Sequence, residues 1–165
     1  MKIHEIMTRE VYIAGPAQTI REAARIMAQY DTGALPVGDD ERLLGVITDR
    51  DIAVRAVAQG KSGDTPVSDV MSREVLYCFE DEDVEHVTRN MGDIQVRRLP
   101  VMNREKRLVG IVSIGDLSHK ARPAVTGNAV ADISRPGGVH TQKPASTAGQ
   151  QRPASSREPS ADASL

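Results

Sequence analysis

The chain has 165 residues, a net charge of −2 and a hydrophobic content of 39%. This length suits one ordinary domain with a real core, or two small modules that share a core. The nearly neutral balance supplies no overall basic field, so it argues against a nucleic-acid-binding protein and against electrostatic attachment to an anionic membrane.

The N-terminal residues and the cysteine content indicate the compartment. Residues 1–7 are charged and amphipathic and lack the apolar run of a signal peptide, and no later run approaches the roughly 20 residues of a membrane span. Cys78 is the single cysteine, which excludes an intrachain disulfide and fits a reducing compartment. We therefore expect a cytoplasmic protein without nucleic-acid or membrane partners.

The sequence contains two copies of one unit at an offset of 64 residues, as from Met7 to Met71. Residues 6–11 return as residues 70–75, and Leu35-Pro-Val returns as Leu99-Pro-Val at the same offset. Asp51 returns one position later, as Asp116, so one residue has been inserted in the turn between these motifs. A repeat of this length predicts two similar modules.

Each copy begins with a short extended segment and a capped helix. Thr19 with Glu22 three residues later forms a capping-box pattern in the first copy, and Asp83 is the corresponding cap in the second. Two strands should follow in each copy, joined by polar hairpin connections at residues 38–42 and 103–107.

A second helix closes each copy and completes the order β-α-β-β-α. In the first copy it should run from Asp49 to about Gln59, where Gly60 is a suitable C-terminal stop. The polar segment 59–66 is the expected linker, and the second copy should close near Lys120.

We predict an α/β (α+β) fold with one repeat in residues 1–61 and another in residues 62–122. A unit of about 60 residues cannot cover the apolar face of its own sheet, so the two should pack together. Residues 123–165 are rich in Pro, Gly, Ser, Ala and Gln, and we expect them to be mostly disordered, with one docked turn at residues 129–133. Removing this tail should leave the fold nearly unchanged.

A hydroxyl and a carboxylate stand at the same spacing after the last strand of each copy. Thr48 pairs with Asp51 in the first copy, and Ser113 pairs with Asp116 in the second. One interpretation is a capping box. The other is a ligand site, because a carboxylate ionised at a helix N-terminus can accept hydrogen bonds from both hydroxyls of a ribose. The spacing alone favours the cap.

Other polar residues give weaker indications. Asp49 with Asp51, or Asp39 with Asp40, could suggest a magnesium site or paired catalytic carboxylates, but no histidine or third carboxylate supports them. The histidines are scattered through the chain: His4, His86, His119 and His140. We therefore expect neither catalytic residues nor a metal site.

The two copies of Leu-Pro-Val, each followed by Gly-x-h-[Thr/Ser]-x-x-Asp with h apolar, resemble the tandem cystathionine-β-synthase (CBS) domain. Residues 33–37 and 45–52 resemble stand-alone bacterial CBS pairs of the hypoxic response protein type. The resemblance covers residues 1 to about 120. It implies two repeats packed through their sheets around a pseudo-two-fold axis, two clefts that bind adenosine-containing ligands, and a homodimer.

The resemblance also implies roles for individual residues. Thr48 with Asp51, and Ser113 with Asp116, would each bind a ribose. The strand segments would hold the adenine through apolar contacts and backbone hydrogen bonds, and their residues are Leu35, Pro36, Val37, Leu99, Pro100 and Val101.

Arg97 and Arg98 are either a solvated strand end or, by the resemblance, the phosphate contact of a CBS pair. In related pairs this strand start reaches across the axis, so both arginines would serve the cleft of Thr48. Gly33 and Ala34 occupy the matching positions of the first copy. The two clefts should therefore be unequal, with phosphorylated adenosine preferred beside the arginines.

The functional hypothesis is a non-enzymatic regulatory or sensing module. It would bind an adenosine nucleotide such as AMP or ATP, or an adenosyl compound, without a required cofactor, and would respond by changing its dimer surface or the surface for an unidentified protein partner. One alternative is a structural interaction or stress protein with vestigial clefts. Another is a small metal-dependent hydrolase.

Overall fold

The computed structural model describes residues 1–39 and 42–136. Asp40, His140 and the part of the predicted tail after residue 136 lie outside these ranges. No helix in the described ranges is long and apolar enough to span a membrane.

The first copy has the predicted helix and hairpin. Helix α1 (Ile20–Tyr30) is capped by the reciprocal bonds of Thr19 and Glu22, which confirms the predicted capping box. Strands β1 (Ala34–Asp39) and β2 (Arg42–Thr48) then pair antiparallel, as predicted.

The segment after β2 is helical as far as the predicted stop. It opens as α2 (Asp49–Asp51), widens into a π-helix (Ile52–Ala56) and ends in a 3₁₀ turn (Val57–Gln59). Gly60 follows with φ of 73°, a left-handed conformation that favours glycine.

The second copy repeats this order and opens with a strand, whereas in the first copy the predicted opening strand is only an isolated bridge between Ala14 and Val37. Strand β3 (Cys78–Phe79) runs parallel to β4 (Arg98–Met102), which pairs antiparallel with β5 (Leu108–Ser113). Helix α3 (Val84–Asp93) lies between β3 and β4 with Asp83 as its cap, and α4 (Ile114–Ser118) follows β5. The predicted α/β architecture of two such repeats is confirmed.

The segment that opens each copy packs in the hydrophobic core of the other copy, so the two opening segments are exchanged. Ile3 and Met7, from the start of the first copy, pack in the core of the second. Val67, Val70 and Met71, from the start of the second copy, pack in the core of the first. The repeats in the sequence therefore differ from the units that pack together.

Backbone hydrogen bonds hold both exchanged segments on the hairpins. Thr8 and Ile111 exchange two bonds of 2.9 Å, and Ser72 and Val46 exchange bonds of 2.9 and 3.0 Å. The backbone at Ser72 approaches the first hairpin so closely that residue 45 must be glycine, because a Cβ atom on Gly45 would lie 2.6 Å from the Ser72 carbonyl oxygen.

Residues expected to be disordered instead form helix α5 (Pro123–Ile133), which packs against α3. Proline is well suited to its first turn, and small residues allow the close contact, since a Cβ on Gly92 would lie 2.9 Å from the Ala129 Cα. The Gln95 side chain also donates to the Asp132 carbonyl oxygen at 2.8 Å. The expected disorder of residues 123–133 was therefore wrong, because small residues dock this helix with little large apolar surface.

Candidate functional site

Two clefts open where the two hairpins meet. The larger, here called the Thr48 cleft, has a volume of about 760 Å³ and is lined by Thr48 and Pro36 of the first hairpin and by Arg97, Arg98 and Pro100 of the second copy. The smaller, here called the Ser113 cleft, has a volume of about 400 Å³. Both copies therefore contribute to each cleft.

Thr48 and Asp51 form a capping box at the start of α2. The Asp51 amide donates to Thr48 Oγ1 at 3.0 Å, and the Thr48 amide donates to Asp51 Oδ2 at 2.9 Å. The Asp51 side chain is 2% exposed, and its Oδ1 lies 3.7 Å from Nε of Arg55. Thr48 lines the Thr48 cleft, whereas Asp51 is buried and does not.

Asp49 supplies a carboxylate to the Thr48 cleft. Its amide donates to the Gly33 carbonyl oxygen at 3.0 Å, and a Cβ on Gly33 would lie 3.0 Å from Asp49 Oδ2. From the sequence, Asp49 was a weak candidate for a magnesium ligand or for one of two paired catalytic carboxylates. Its position beside the Thr48 hydroxyl, one residue into the helix, was the signal that could have assigned it to the cleft.

The Thr48 cleft has a balanced set of charges. Arg97 and Arg98 line it together, as the resemblance implied, and Arg50 adds a third guanidinium. Three carboxylates line the same cleft: Asp31, Asp49 and Glu74. Within residues 1–39 and 42–136, neither the Arg97 nor the Arg98 side chain makes a hydrogen bond or ion pair.

Ser113 and Asp116 repeat the capping box, with a more exposed carboxylate. The Ser113 hydroxyl donates to Asp116 Oδ2 at 2.7 Å and accepts from the Asp116 amide at 3.2 Å. Both residues line the Ser113 cleft, and Asp116 is only half-buried. The Asp116 carboxylate is therefore accessible from its cleft, whereas that of Asp51 is buried.

A pair of stacked tyrosines also lines the Ser113 cleft. The ring centroids of Tyr12 and Tyr30 are 3.4 Å apart with planes at 17°, and each residue is 40% exposed. The hydrogen bond to the Tyr30 hydroxyl is the main cause of a raised pKa at Tyr12. The pair could not be predicted from the sequence, because no local pattern brings residues 12 and 30 together.

The residues expected to hold an adenine divide between the clefts and the cores. Pro36 lines both clefts and Pro100 lines the Thr48 cleft, while Leu35 packs in the first core and also lines the Ser113 cleft. The other three candidates pack in the cores and line neither cleft: Val37, Leu99 and Val101. Side chains alternate along a strand, which separates the prolines from these core residues.

Cys78 lies in the second core, away from both clefts. Burial, with a smaller effect from Glu82, raises the pKa of its thiol to about 12, so the thiol is neutral at physiological pH. In the described ranges, no group of three or more His, Cys, Asp or Glu side chains is arranged to hold a metal ion.

Comparisons with known proteins give one consistent result. The sequence profile of the CBS domain matches residues 3–57 and 67–122. The chain is 42% identical over 133 residues to the CBS domain-containing protein YhcV of Bacillus subtilis (strain 168), covering 80% of this chain and 94% of that protein. It is 38% identical over 116 residues to hypoxic response protein 1 of Mycobacterium tuberculosis (strain ATCC 25618 / H37Rv), covering 69% and 80%.

A solved structure extends the likeness to three dimensions. The CBS domain pair of protein MJ0100, in complex with 5′-methylthioadenosine and S-adenosyl-L-methionine, aligns with a TM-score of 0.65 and 32% identity over 72% of this chain and 94% of that one. Because both halves match the family in sequence and the whole pair matches in fold, this chain belongs to the CBS domain family.

Proposed function

We propose that this chain is a non-enzymatic sensing module that binds an adenosine nucleotide or a related adenosyl compound in its clefts. The observation that carries this proposal is the Thr48 cleft, which Thr48, Arg97 and Arg98 line together and in which the two arginine side chains make no bonds to other described residues. Its volume of about 760 Å³ is within the usual range for a small-molecule site.

The lining of the Thr48 cleft suits the parts of a nucleotide. The planar guanidinium groups of Arg97 and Arg98 can each bind a phosphate through two hydrogen bonds. The Thr48 hydroxyl can bind a ribose oxygen, while Pro36 and Pro100 offer apolar surface to a base. A ribose contact from Asp51 requires its carboxylate to become accessible on binding, because it is buried here.

The Ser113 cleft should accept a less charged ligand. Of its lining residues, Arg98 is basic, whereas Glu10, Asp31 and Asp116 are acidic. A phosphate would be repelled there more than in the Thr48 cleft, where basic and acidic residues are balanced. The two adenosyl compounds in the MJ0100 complex support this class of ligand here.

Binding would be useful for regulation if it changed a surface that a partner recognises. We propose a cytoplasmic homodimer whose dimer surface, or surface for an unidentified protein partner, responds to ligand. A monomeric mass in light scattering at micromolar concentration would contradict the dimer.

A second candidate is a structural interaction protein with vestigial clefts. The burial of Asp51 favours it, because the carboxylate expected to bind ribose is instead part of a helix cap beside Arg55. The two candidates differ in whether any adenosyl compound binds.

Isothermal titration with AMP, ATP, NADH, S-adenosylmethionine and cyclic dinucleotides tests the proposal. We expect at least one compound to bind, and the Arg97→Ala, Arg98→Ala double variant to lose selectivity for AMP over adenosine. Arg25→Ala is the matched control, since Arg25 is an exposed arginine that lines neither cleft. Failure of the whole panel to bind would favour the structural role, and turnover of a ligand with magnesium would favour a hydrolase.

A further inference from the structure

The two clefts share a wall built from the starts of β1 and β4. Six residues line both clefts: Asp31, Thr32, Ala34, Pro36, Arg98 and Ile111. Ala34 is paired with Thr48 in one hairpin, and Arg98 is paired with Ser113 in the other, so they occupy equivalent positions. The shared wall therefore has a guanidinium on one side of the pseudo-two-fold axis and a methyl group on the other.

We propose that Arg98 serves both clefts, so that binding of a phosphorylated ligand in one cleft weakens binding of a second phosphorylated ligand in the other. This inference rests on the proposed function. A guanidinium presents its donors in one planar fork and binds one phosphate through two bonds at a time. The second ligand must therefore bind without Arg98 and close to the charge of the first.

The charges decide which cleft keeps Arg98. The Thr48 cleft also contains Arg50 and Arg97, so a phosphate binds there with the support of neighbouring cations. Once Arg98 has turned to that phosphate, the charged residues left lining the Ser113 cleft are acidic. A ligand without phosphate is not subject to this competition, and we expect the pair to hold one phosphorylated and one uncharged adenosyl ligand together.

Arg98 can change cleft at low cost because its residue is exposed and its side chain has no hydrogen bond or ion pair with the described residues. Arg97 lines the Thr48 cleft and not the Ser113 cleft. This neighbouring arginine is therefore a matched control with the same chemistry and a single cleft.

A variant with a filled Thr48 cleft tests the coupling. Val46 lines this cleft and not the other, so Val46→Trp should block it, and Val11→Trp should block the Ser113 cleft and identify each binding step. We expect Val46→Trp to bind AMP in the Ser113 cleft about tenfold to a hundredfold more tightly than the parent binds its second AMP. Adding Arg98→Ala should remove the gain, whereas adding Arg97→Ala should not.

Adenosine is the control ligand, and its affinity for the Ser113 cleft should be the same in the parent and in Val46→Trp. If Val46→Trp does not fold, Glu74→Trp blocks the same cleft from an exposed position. Equal AMP affinities of the Ser113 cleft with the Thr48 cleft open or blocked would overturn the coupling and leave the proposed function standing. Failure of the parent to bind any compound of the adenosyl panel would overturn both.

Discussion

Two glycines on the α3–α5 pair should respond in opposite ways to alanine. A Cβ on Gly92 of α3 would lie 2.9 Å from the Ala129 Cα, whereas a Cβ on Gly127 of α5 would have no atom within 4 Å. Alanine in place of glycine stabilises a helix interior by about 0.5 to 1 kcal/mol. At Gly127 this gain should appear in full.

At Gly92 the same gain is opposed by a clash with backbone. Overpacking typically costs about 1 to 3 kcal/mol, and here α5 itself must move, because the atom in the way belongs to the main chain. We expect a net loss of about 0.5 to 2 kcal/mol for Gly92→Ala. For a chain of this size, 1 kcal/mol corresponds to about 2–4 °C in melting temperature.

Thermal and urea unfolding of the parent, Gly92→Ala and Gly127→Ala would measure the change in the free energy of unfolding for each variant. Gly127→Ala reports the intrinsic effect of the substitution, so the difference between the variants isolates the contact of α3 with α5. If the two variants were equally stabilised, α5 would not be docked as described.

Three further results are expected. A chain ending at Arg122 should melt several degrees lower than the full chain, measured by circular dichroism, because α5 buries Ala129 and covers α3; an unchanged melting curve would contradict this. Cys78 should make the protein less stable as pH rises from about 8.5 toward 12, because the unfolded thiol ionises near 8.5 while burial keeps the folded thiol protonated. Urea titrations at several pH values should show this loss in the parent and a smaller one in Cys78→Ala, and equal losses would refute it. Asp51→Ala should lower the free energy of unfolding by about 1 kcal/mol through loss of the cap. On protein shown to be folded, it should also lower the affinity for the proposed adenosyl ligand by about tenfold to a hundredfold. Unchanged affinity would leave Asp51 with the capping role alone.

The parts of the fold that depend on local patterns could be predicted from the sequence. The Thr19 cap, the polar hairpins and the stop at Gly60 are each specified by a few neighbouring residues, and the repeat showed that both copies use the same order. The resemblance to the family also predicted that Arg97 and Arg98 lie at the Thr48 cleft, which both of them line.

The remaining features depend on contacts between distant residues. Helix α5 is held by small residues such as Ala129, which composition alone does not distinguish from a disordered segment. The spacing of Thr48 and Asp51 is the same for a buried cap and for an exposed ligand site, so the burial of Asp51 becomes visible only in three dimensions. The stacking of Tyr12 on Tyr30 likewise depends on a tertiary contact, because Tyr12 precedes α1 and Tyr30 is the last residue of that helix.

The exchange of opening segments has a consequence during synthesis. The first core is complete once residues 67–71 have been made, soon after the hairpin that they cover. Ile3 and Met7 must wait for β5, about 100 residues later, which at translation rates of about 5 to 20 residues per second is a delay of about 5 to 20 s. The first module can therefore form while the chain is still being made, and the N-terminal residues remain exposed until the second hairpin arrives. The Thr48 cleft, which needs Arg97 and Arg98 from that late segment, is completed only after the side that carries Thr48 has folded.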